Sequence, residues 1–574
     1  MAMKTLWALI VGLSGLLLVG ASQPPTSLDP GAVASPEGYP VRNDLLVRSC
    51  GACHQMDEEG RMSRISFLRK TPEGWQASLQ RMVALQGVRL DPATAANIVR
   101  YLSNEQGLAP EELRPVHFEV ERRRVGMEYP DDNTLETCGA CHSMGMAMTQ
   151  RRSPEEWELL AATHQGYYPR VDGQRFRRGG ARPGEFPVER ALEHLKEAYP
   201  LATREWAEWS ANRGPARIEG DWILEGWEVG RGAVFGRVEI TPVAGSADEF
   251  TTRIRYHYPE DGETLVREGR VILYTGFQWR GRSTEVGGEG AASRMQAEGT
   301  RGELREVMFV ERDWGEIHGR WFTGAHDEFG LDVRLRRAGS APVVAGVFPE
   351  SLRSGSAPTE LRIFGAGLPV DLRPQDVELG QGVEVEAVVA SHPDSLRLRV
   401  RVSGEAPVGA RDLRLRGQVV PRALVVYDRV DYLVLEPFAG LARIGGIVMP
   451  KQYQPFEAIA WHSGLDGRRG TDDDVRIGRV AVTWDLVEYP VTFEDDDARF
   501  VGTIDARGLF TPGADGLNPE RAGDRNNMGD VWVRARHRPE GEGGRVLEAR
   551  THLVVSAPLY MHWDNWMLEP EVTP

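Results

Sequence analysis

The sequence predicts a multidomain α + β chain: a mostly helical N-terminal part, then an antiparallel β-barrel-like part, then two immunoglobulin-like β-sandwiches. Three observations predict it. The chain has 574 residues, more than one hydrophobic core can organise. Helical periodicity holds to about residue 211 and then gives way to short alternating strands and turns. The helical part also repeats itself: two Cys-x-x-Cys-His motifs are each followed by a Pro-Glu-x-Trp helix start.

Composition narrows the class. With 41% hydrophobic and 26% charged residues, the chain is neither disordered nor a multi-span membrane protein. A formal net charge of -16 argues against nucleic-acid binding, which needs a basic footprint, and suits a partner with a basic patch. The N-terminus reads as a secretion signal over residues 1–21. Lys4 is its positive start, Leu6 to Val19 its apolar stretch, and Val19-Gly20-Ala21 its cleavage region. The apolar run is short for a full membrane span, so cleavage and export are expected. Residues 22–40, rich in Pro, Ser and Gly, are expected to be a flexible lead-in.

The chain has four cysteines, all within Cys50-Gly51-Ala52-Cys53-His54 and Cys138-Gly139-Ala140-Cys141-His142. Cys-x-x-Cys-His is the pattern of covalent c-type haem attachment. Cys50 and Cys53, and likewise Cys138 and Cys141, would add to haem vinyl groups, and His54 and His142 would ligate the two irons. One such motif could be chance or a redox dithiol. Two, sharing Gly-Ala and following an export signal, leave little room for either. A zinc site would need the four thiolates to converge and would leave both histidines unexplained.

The repeat continues beyond the motifs. Thr71-Pro72-Glu73-Gly74-Trp75 and Ser153-Pro154-Glu155-Glu156-Trp157 both read as capped helix starts with Pro in the first position. Asp91 to Leu102 closes the first unit as a helix, and Arg190 to Glu197 can close the second. Residues 41–211 therefore read as a dihaem cytochrome c domain of two fused units. The separation from Trp75 to Met82 equals that from Trp157 to His164. Met and His are both good iron ligands, so the register proposes His54/Met82 for one haem and His142/His164 for the other. Alone, a Met at helical spacing is more often a core residue. Rivals are Met56, Met62, Met144, Met146 and Met148, most of them too near the attachment motifs to reach the opposite haem face, together with His117 and His194. A Met ligand raises the haem potential relative to His, so electrons would run from the His/His haem to the His/Met haem.

The remainder is strand-rich. Runs at Gly220–Trp227, Ala233–Ile240, Phe250–Tyr256, Leu265–Val271, Glu306–Val310 and Leu331–Arg336 predict a barrel-like sheet over 212–340. Val347–Pro349, Leu361–Leu368, Ser395–Val400 and Ala410–Leu415 give an immunoglobulin-like sandwich over 341–421. Val480–Trp484 and Val531–Ala535 suggest a second over 422–574. Asp472-Asp473-Asp474 and Glu494 to Asp497 lack a calcium-ligand spacing, and solvated acidic loops are the better reading. The other histidines make no i, i+4 metal pair.

This order of parts, with its two CGACH motifs and its TPEGW and SPEEW segments, resembles the α subunit of the quinohaemoprotein amine dehydrogenases over the whole mature chain. The resemblance implies a periplasmic αβγ assembly with a β-propeller β subunit and a small γ subunit carrying cysteine tryptophylquinone. It implies oxidation of primary amines to aldehyde and ammonia, with this chain passing the electrons to a soluble cytochrome c or a blue copper protein. Substrate catalysis would lie on another subunit, since no cysteine here is spare for a tryptophyl cross-link. A dihaem peroxidase and a free-standing dihaem carrier are the rival readings.

Overall fold

The computed structural model describes residues 38–116, 129–139, 144–167, 186–286, 302–489, 496–521, 525–539 and 544–558. The expected signal sequence, most of the lead-in, His117, Cys141, His142, Glu494 and Asp495 lie outside the described residues.

The N-terminal part holds helices α1 (Asp44–Cys50), α2 (Pro72–Gln86), α3 (Pro92–Glu105), α4 (Pro110–Leu113), α5 (Asp132–Cys138), α6 (Gly145–Met148), α7 (Pro154–Tyr167), α8 (Pro187–Ala198) and α9 (Arg204–Asn212). It also holds two short strands, β1 (Leu68–Lys70) and β2 (Gln150–Arg152). Helix makes up 21% of the chain, and apart from Asp497–Phe500 the described α-helices lie here. Local chemistry starts several of them. Asn43 caps α1, Thr71 caps α2, Asp91 caps α3 and Asp131 caps α5, each side chain accepting from a backbone N–H in the first turn.

The two copies are locked by the same bonds. Trp75 donates its indole N–H to the Gln106 carbonyl at 3.2 Å, and Trp157 donates to the Tyr199 carbonyl at 3.2 Å. Gln106 and Tyr199 are the residues that terminate α3 and α8. Strands β1 and β2 pair antiparallel, with Leu68 opposite Arg152, Arg69 opposite Arg151 and Lys70 opposite Gln150. Arg69 and Arg151 occupy the same place in the two copies, two residues before the capping Thr71 and Ser153. The repeat thus meets itself about a local two-fold at this pair.

Two opposed arginines would repel each other. Glu112 resolves this: its carboxylate accepts from Arg69 at 2.9 Å through both oxygens and lies 3.1 Å from Arg151 Nε. Arg69 also donates to the carbonyls of Leu201 and Gly107 and to the Thr203 hydroxyl. Burial disfavours the Glu112 charge, but Arg69, Arg151 and the Ala109 N–H outweigh that and hold its carboxyl at about 2.

Strands β3 (Gly220–Glu228), β4 (Gly232–Pro242), β5 (Glu249–His257), β6 (Thr264–Tyr274), β7 (Gln278–Glu285), β8 (Glu303–Val310), β9 (Glu316–Thr323) and β10 (Phe329–Arg337) form a closed antiparallel barrel, with β10 pairing back onto β3. Strands β7 and β9 are not among the expected ones. Gly281 and Gly319 stand where the apolar side of their alternation should continue, which removes the period-2 signal. Gly319 is required: a Cβ there would lie 2.3 Å from the Val307 carbonyl oxygen and 2.5 Å from Met308 Cα. Such positions let paired strands coil tightly enough to close.

The first unit is fastened to this barrel. Leu108, Leu113 and Val116 join the barrel's own core cluster. Glu73 pairs with Arg280, Arg100 with Asp248 and Glu249, Arg114 with Glu311 and Arg312 with Glu111.

Beyond the barrel, two four-stranded sheets share one core. One contains Val343–Phe348, Thr359–Ala366, Ser395–Val402 and Val383–His392; the other contains Ser351–Arg353, Gln418–Tyr427, Gly409–Leu415 and Val377–Glu378. The expected boundary at residue 421 is corrected: Pro421 lies inside Gln418–Tyr427, where a register shift opposite Asp412 accommodates it. In the last part, among the described residues, the sheets built on Tyr432–Glu436 and on Ala439–Arg443 share core clusters, and a third, small sheet is built on Gln454–Pro455. The run expected at Val531–Ala535 lies in Gly529–His537, which pairs with Thr483–Glu488; of Val480–Trp484, Thr483 and Trp484 belong to that strand.

Removing one partner of a buried ion pair costs about 3–5 kcal/mol, so Glu112→Gln is expected to lower the thermal transition of the purified chain at neutral pH. The parent's Glu112 contribution is fully present above about pH 4.5 and is lost as pH falls through about 2. Far-UV circular dichroism melts at neutral and acid pH check this. The gap between parent and variant should shrink on acidification, and equal stability at neutral pH contradicts the assignment.

Candidate haem-binding site

The first motif follows α1 without a break in coiling. The Gly51 N–H donates to the Val47 carbonyl at 2.8 Å, and the N–H groups of Cys53 and His54 both donate to the Cys50 carbonyl. Neither cysteine is in a disulfide. Cys50 is half-buried against the cluster that holds Met62 and Trp75. Burial, and then the neighbouring Cys53, push its thiol upward, opposite to the depressed thiol of a redox dithiol. His54 Nδ1 lies 2.8 Å from the Ser63 carbonyl oxygen. With Nδ1–H donating there, the lone pair sits on Nε2, the atom an iron takes. Two unbridged thiols and an oriented imidazole fit a haem held by two thioethers and a proximal histidine.

The second motif starts in the same way. Helix α5 ends at Cys138, and the Gly139 N–H donates to the Leu135 carbonyl at 2.8 Å. Cys138 is half-buried against the cluster of Tyr129, Met144 and Trp157. Cys141 and His142 lie outside the described residues.

Met82 lies on α2 and His164 on α7, both half-buried. Seven residues turn an α-helix by about 700°, nearly two full turns. Each is therefore on the face of its helix that carries the buried Trp75 or Trp157. The N–H groups of Gly87 and Val88 both close on the Met82 carbonyl, ending α2 one turn beyond it. His164 Nδ1 lies 2.9 Å from the Leu160 carbonyl oxygen, which again assigns the lone pair to Nε2.

The rivals are placed differently. Met62 and Met144 are core residues at 0% and 1% exposure. Met56 is exposed and bridged to Met62. Met146 and Met148 are half-buried on the single-turn α6. His194 Nε2 lies 3.0 Å from the Tyr129 hydroxyl. The acidic loop at Asp472–Asp474 serves its own turn: Asp473 accepts from the Leu465 and Asp466 N–H groups, and Asp474 from those of Gly470 and Thr471.

Sequence reading missed Ser63, Glu112 and the charges of the ribbon, namely Arg69, Lys70, Arg151 and Arg152. One signal for the last four was present. The TPEGW and SPEEW likeness extends upstream as Arg69-Lys70 and Arg151-Arg152.

Comparison with known proteins bears on the whole chain. Residues 41–206 match the family described as "Quinohemoprotein amine dehydrogenase A, alpha subunit, haem binding". Residues 215–338, 341–428 and 433–567 match domains II, III and IV of the same subunit. A search of curated proteins finds no match. Among solved structures, a redesigned β-barrel aligns at 13% identity over 21% of this chain and 92% of its own, with a TM-score of 0.17. A fragment of the ICAM-5 ectodomain, domains 1 to 4, aligns at 14% identity over 59% of this chain and 84% of its own, with a TM-score of 0.13. Likenesses this slight do not bear on the fold. The four consecutive family matches do, and they agree with the order of parts: the chain belongs to the α-subunit family of the quinohaemoprotein amine dehydrogenases, and its N-terminal domain is the haem-binding one.

Proposed function

We propose that this chain is the electron-transferring dihaem subunit of a periplasmic quinohaemoprotein amine dehydrogenase. In this reading it takes electrons from a cysteine tryptophylquinone on a small γ subunit, within an assembly completed by a β-propeller β subunit. It delivers them to a soluble cytochrome c or a blue copper protein while primary amines are oxidised to aldehyde and ammonia. The observation that carries the reading is the pair of equivalent units, each with its own Cys-x-x-Cys-His motif, in a chain of the amine dehydrogenase family.

Haem, when bound, supplies reversible one-electron transfer at a potential set largely by its axial ligands and surroundings. The chain's residues do the rest. Cys50 and Cys53, with Cys138 and Cys141, would hold the two groups. His54, oriented by the Ser63 carbonyl, and His142 would be the proximal ligands. Met82 and His164 would be the distal ones and would make the two sites unequal. The four cysteines are all accounted for by the motifs, so amine oxidation itself is assigned to a partner subunit. The expected signal sequence supports the periplasmic setting.

Anaerobic addition of a primary amine to the natively purified complex is expected to reduce the haems, read from their absorbance. Haems that stay oxidised in the full complex overturn the amine dehydrogenase reading. Replacing Met82 by Ala should turn one haem high-spin by electron paramagnetic resonance and leave the other unchanged, and His164→Ala should do the converse. Met82→His should restore a low-spin haem at a lower potential than the parent's. A parent-like spectrum in both alanine variants contradicts the ligand assignment.

A further inference from the structure

Side chains alternate across the β1–β2 ribbon. Arg69 and Arg151 point to one face, where Glu112 pairs with both. Lys70 and Arg152 share the other face, diagonally across the strand pair. They are equivalent in the repeat, each one residue before a capping Thr71 or Ser153. Their surroundings are also equivalent. The Lys70 ammonium lies over the Trp75 ring at 5.3 Å, and the Arg152 guanidinium over the Trp157 ring at 5.5 Å. Both are buried, at 4% and 3% exposure.

This face is short of negative charge. Lys70 donates to the Ser78 hydroxyl at 2.7 Å. Arg152 donates to the Gln150 side-chain oxygen at 2.7 Å and to the Glu156 carbonyl. The Glu156 carboxylate is shared, with Arg64 at 2.9 Å and Arg152 at 3.7 Å. The other buried carboxylates nearby are engaged elsewhere, Glu112 on the opposite face and Glu73 with Arg280. Among the described residues, Lys70, Arg152 and Arg64 thus face a single carboxylate. Burial, with Arg152 and Arg81 close by, pushes the Lys70 ammonium well below its ordinary range. A buried cation persists when an anion pairs with it, and each unit keeps one at the same place.

We infer that Lys70 and Arg152 form a carboxylate-binding face that takes the carboxylate side chains of the two haems, one cation to each unit. This rests on the dihaem reading, since each haem brings two carboxylates. Paired with such an anion, each cation would add a hydrogen bond to a negatively charged acceptor to those it makes to neutral oxygens. The ribbon that joins the units would then receive a carboxylate of each haem. Lys70 and Arg152 are then positioning residues that also set potential, because a nearby positive charge favours the reduced, less positive haem.

The test uses the natively purified complex with Lys70→Gln, Arg152→Gln or Lys70→Arg in this chain. Covalent haem is counted by the pyridine haemochrome spectrum, and the midpoint potentials are read by optical redox titration. Lys70→Gln should keep two haems and lower one midpoint potential. Arg152→Gln should lower the other, and Lys70→Arg should restore the parent curve. Curves that superimpose on the parent's in both Gln variants, with both haems retained, overturn the carboxylate face and leave the dihaem reading standing. Equal shifts of both potentials in each variant overturn it too, as a general structural effect. A parent chain without covalent haem overturns the dihaem reading beneath it. Should Arg152→Gln fail to accumulate, Lys70→Gln and Lys70→Arg decide the matter alone.

Discussion

Arg69 and Arg151 stand opposite each other on neighbouring strands, and Glu112 is the charge that allows it. The two units of the N-terminal domain meet at this point, so their relative placement depends on it. The guanidinium of Arg69 reaches five acceptors drawn from two separate stretches of chain, 107–112 and 201–203. A buried pair of this kind contributes little net stability against an apolar alternative. Its value lies in direction, because the planar fork fixes where β1, the segment around Glu112 and the turn before α9 lie together. The same ribbon then presents Lys70 and Arg152 on its other face, so one short strand pair both joins the units and sets the charge between them.

The barrel gives this junction a fixed base. Its core is shared with Leu108, Leu113 and Val116, and ion pairs from α2, α3 and the segment after α3 reach its strands. These contacts belong mostly to the first unit. The second unit is tied to the first through the ribbon and through the Arg64–Glu156 pair. The proposed relay needs the distance between its centres held constant, and a chain of attachments from barrel to first unit to second unit would provide that.

Much of this was legible in the sequence because the repeat is written in residues with strong local meaning. Cys-x-x-Cys-His points to a covalent chemistry, and Thr71-Pro72 and Ser153-Pro154 fix helix starts, so Trp75 with Met82 and Trp157 with His164 can be aligned without a structure. What could not be read depends on distant partners. Glu112 is unremarkable until the fold puts it between two arginines more than eighty residues apart. The β7 and β9 strands hide because barrel closure puts glycine where a strand pattern calls for an apolar side chain. Pro421 reads as an end of a unit, yet a bulge keeps it inside a strand.

The central claim is that both motifs carry covalent haem and that no cysteine is left for other chemistry. Intact-mass spectrometry of the purified, denatured and reduced chain, after treatment with a thiol-alkylating reagent, tests it most directly. The account predicts a polypeptide carrying two haems, with no cysteine alkylated. A chain carrying fewer than two haems, with alkylated Cys50 and Cys53 or Cys138 and Cys141, would contradict it.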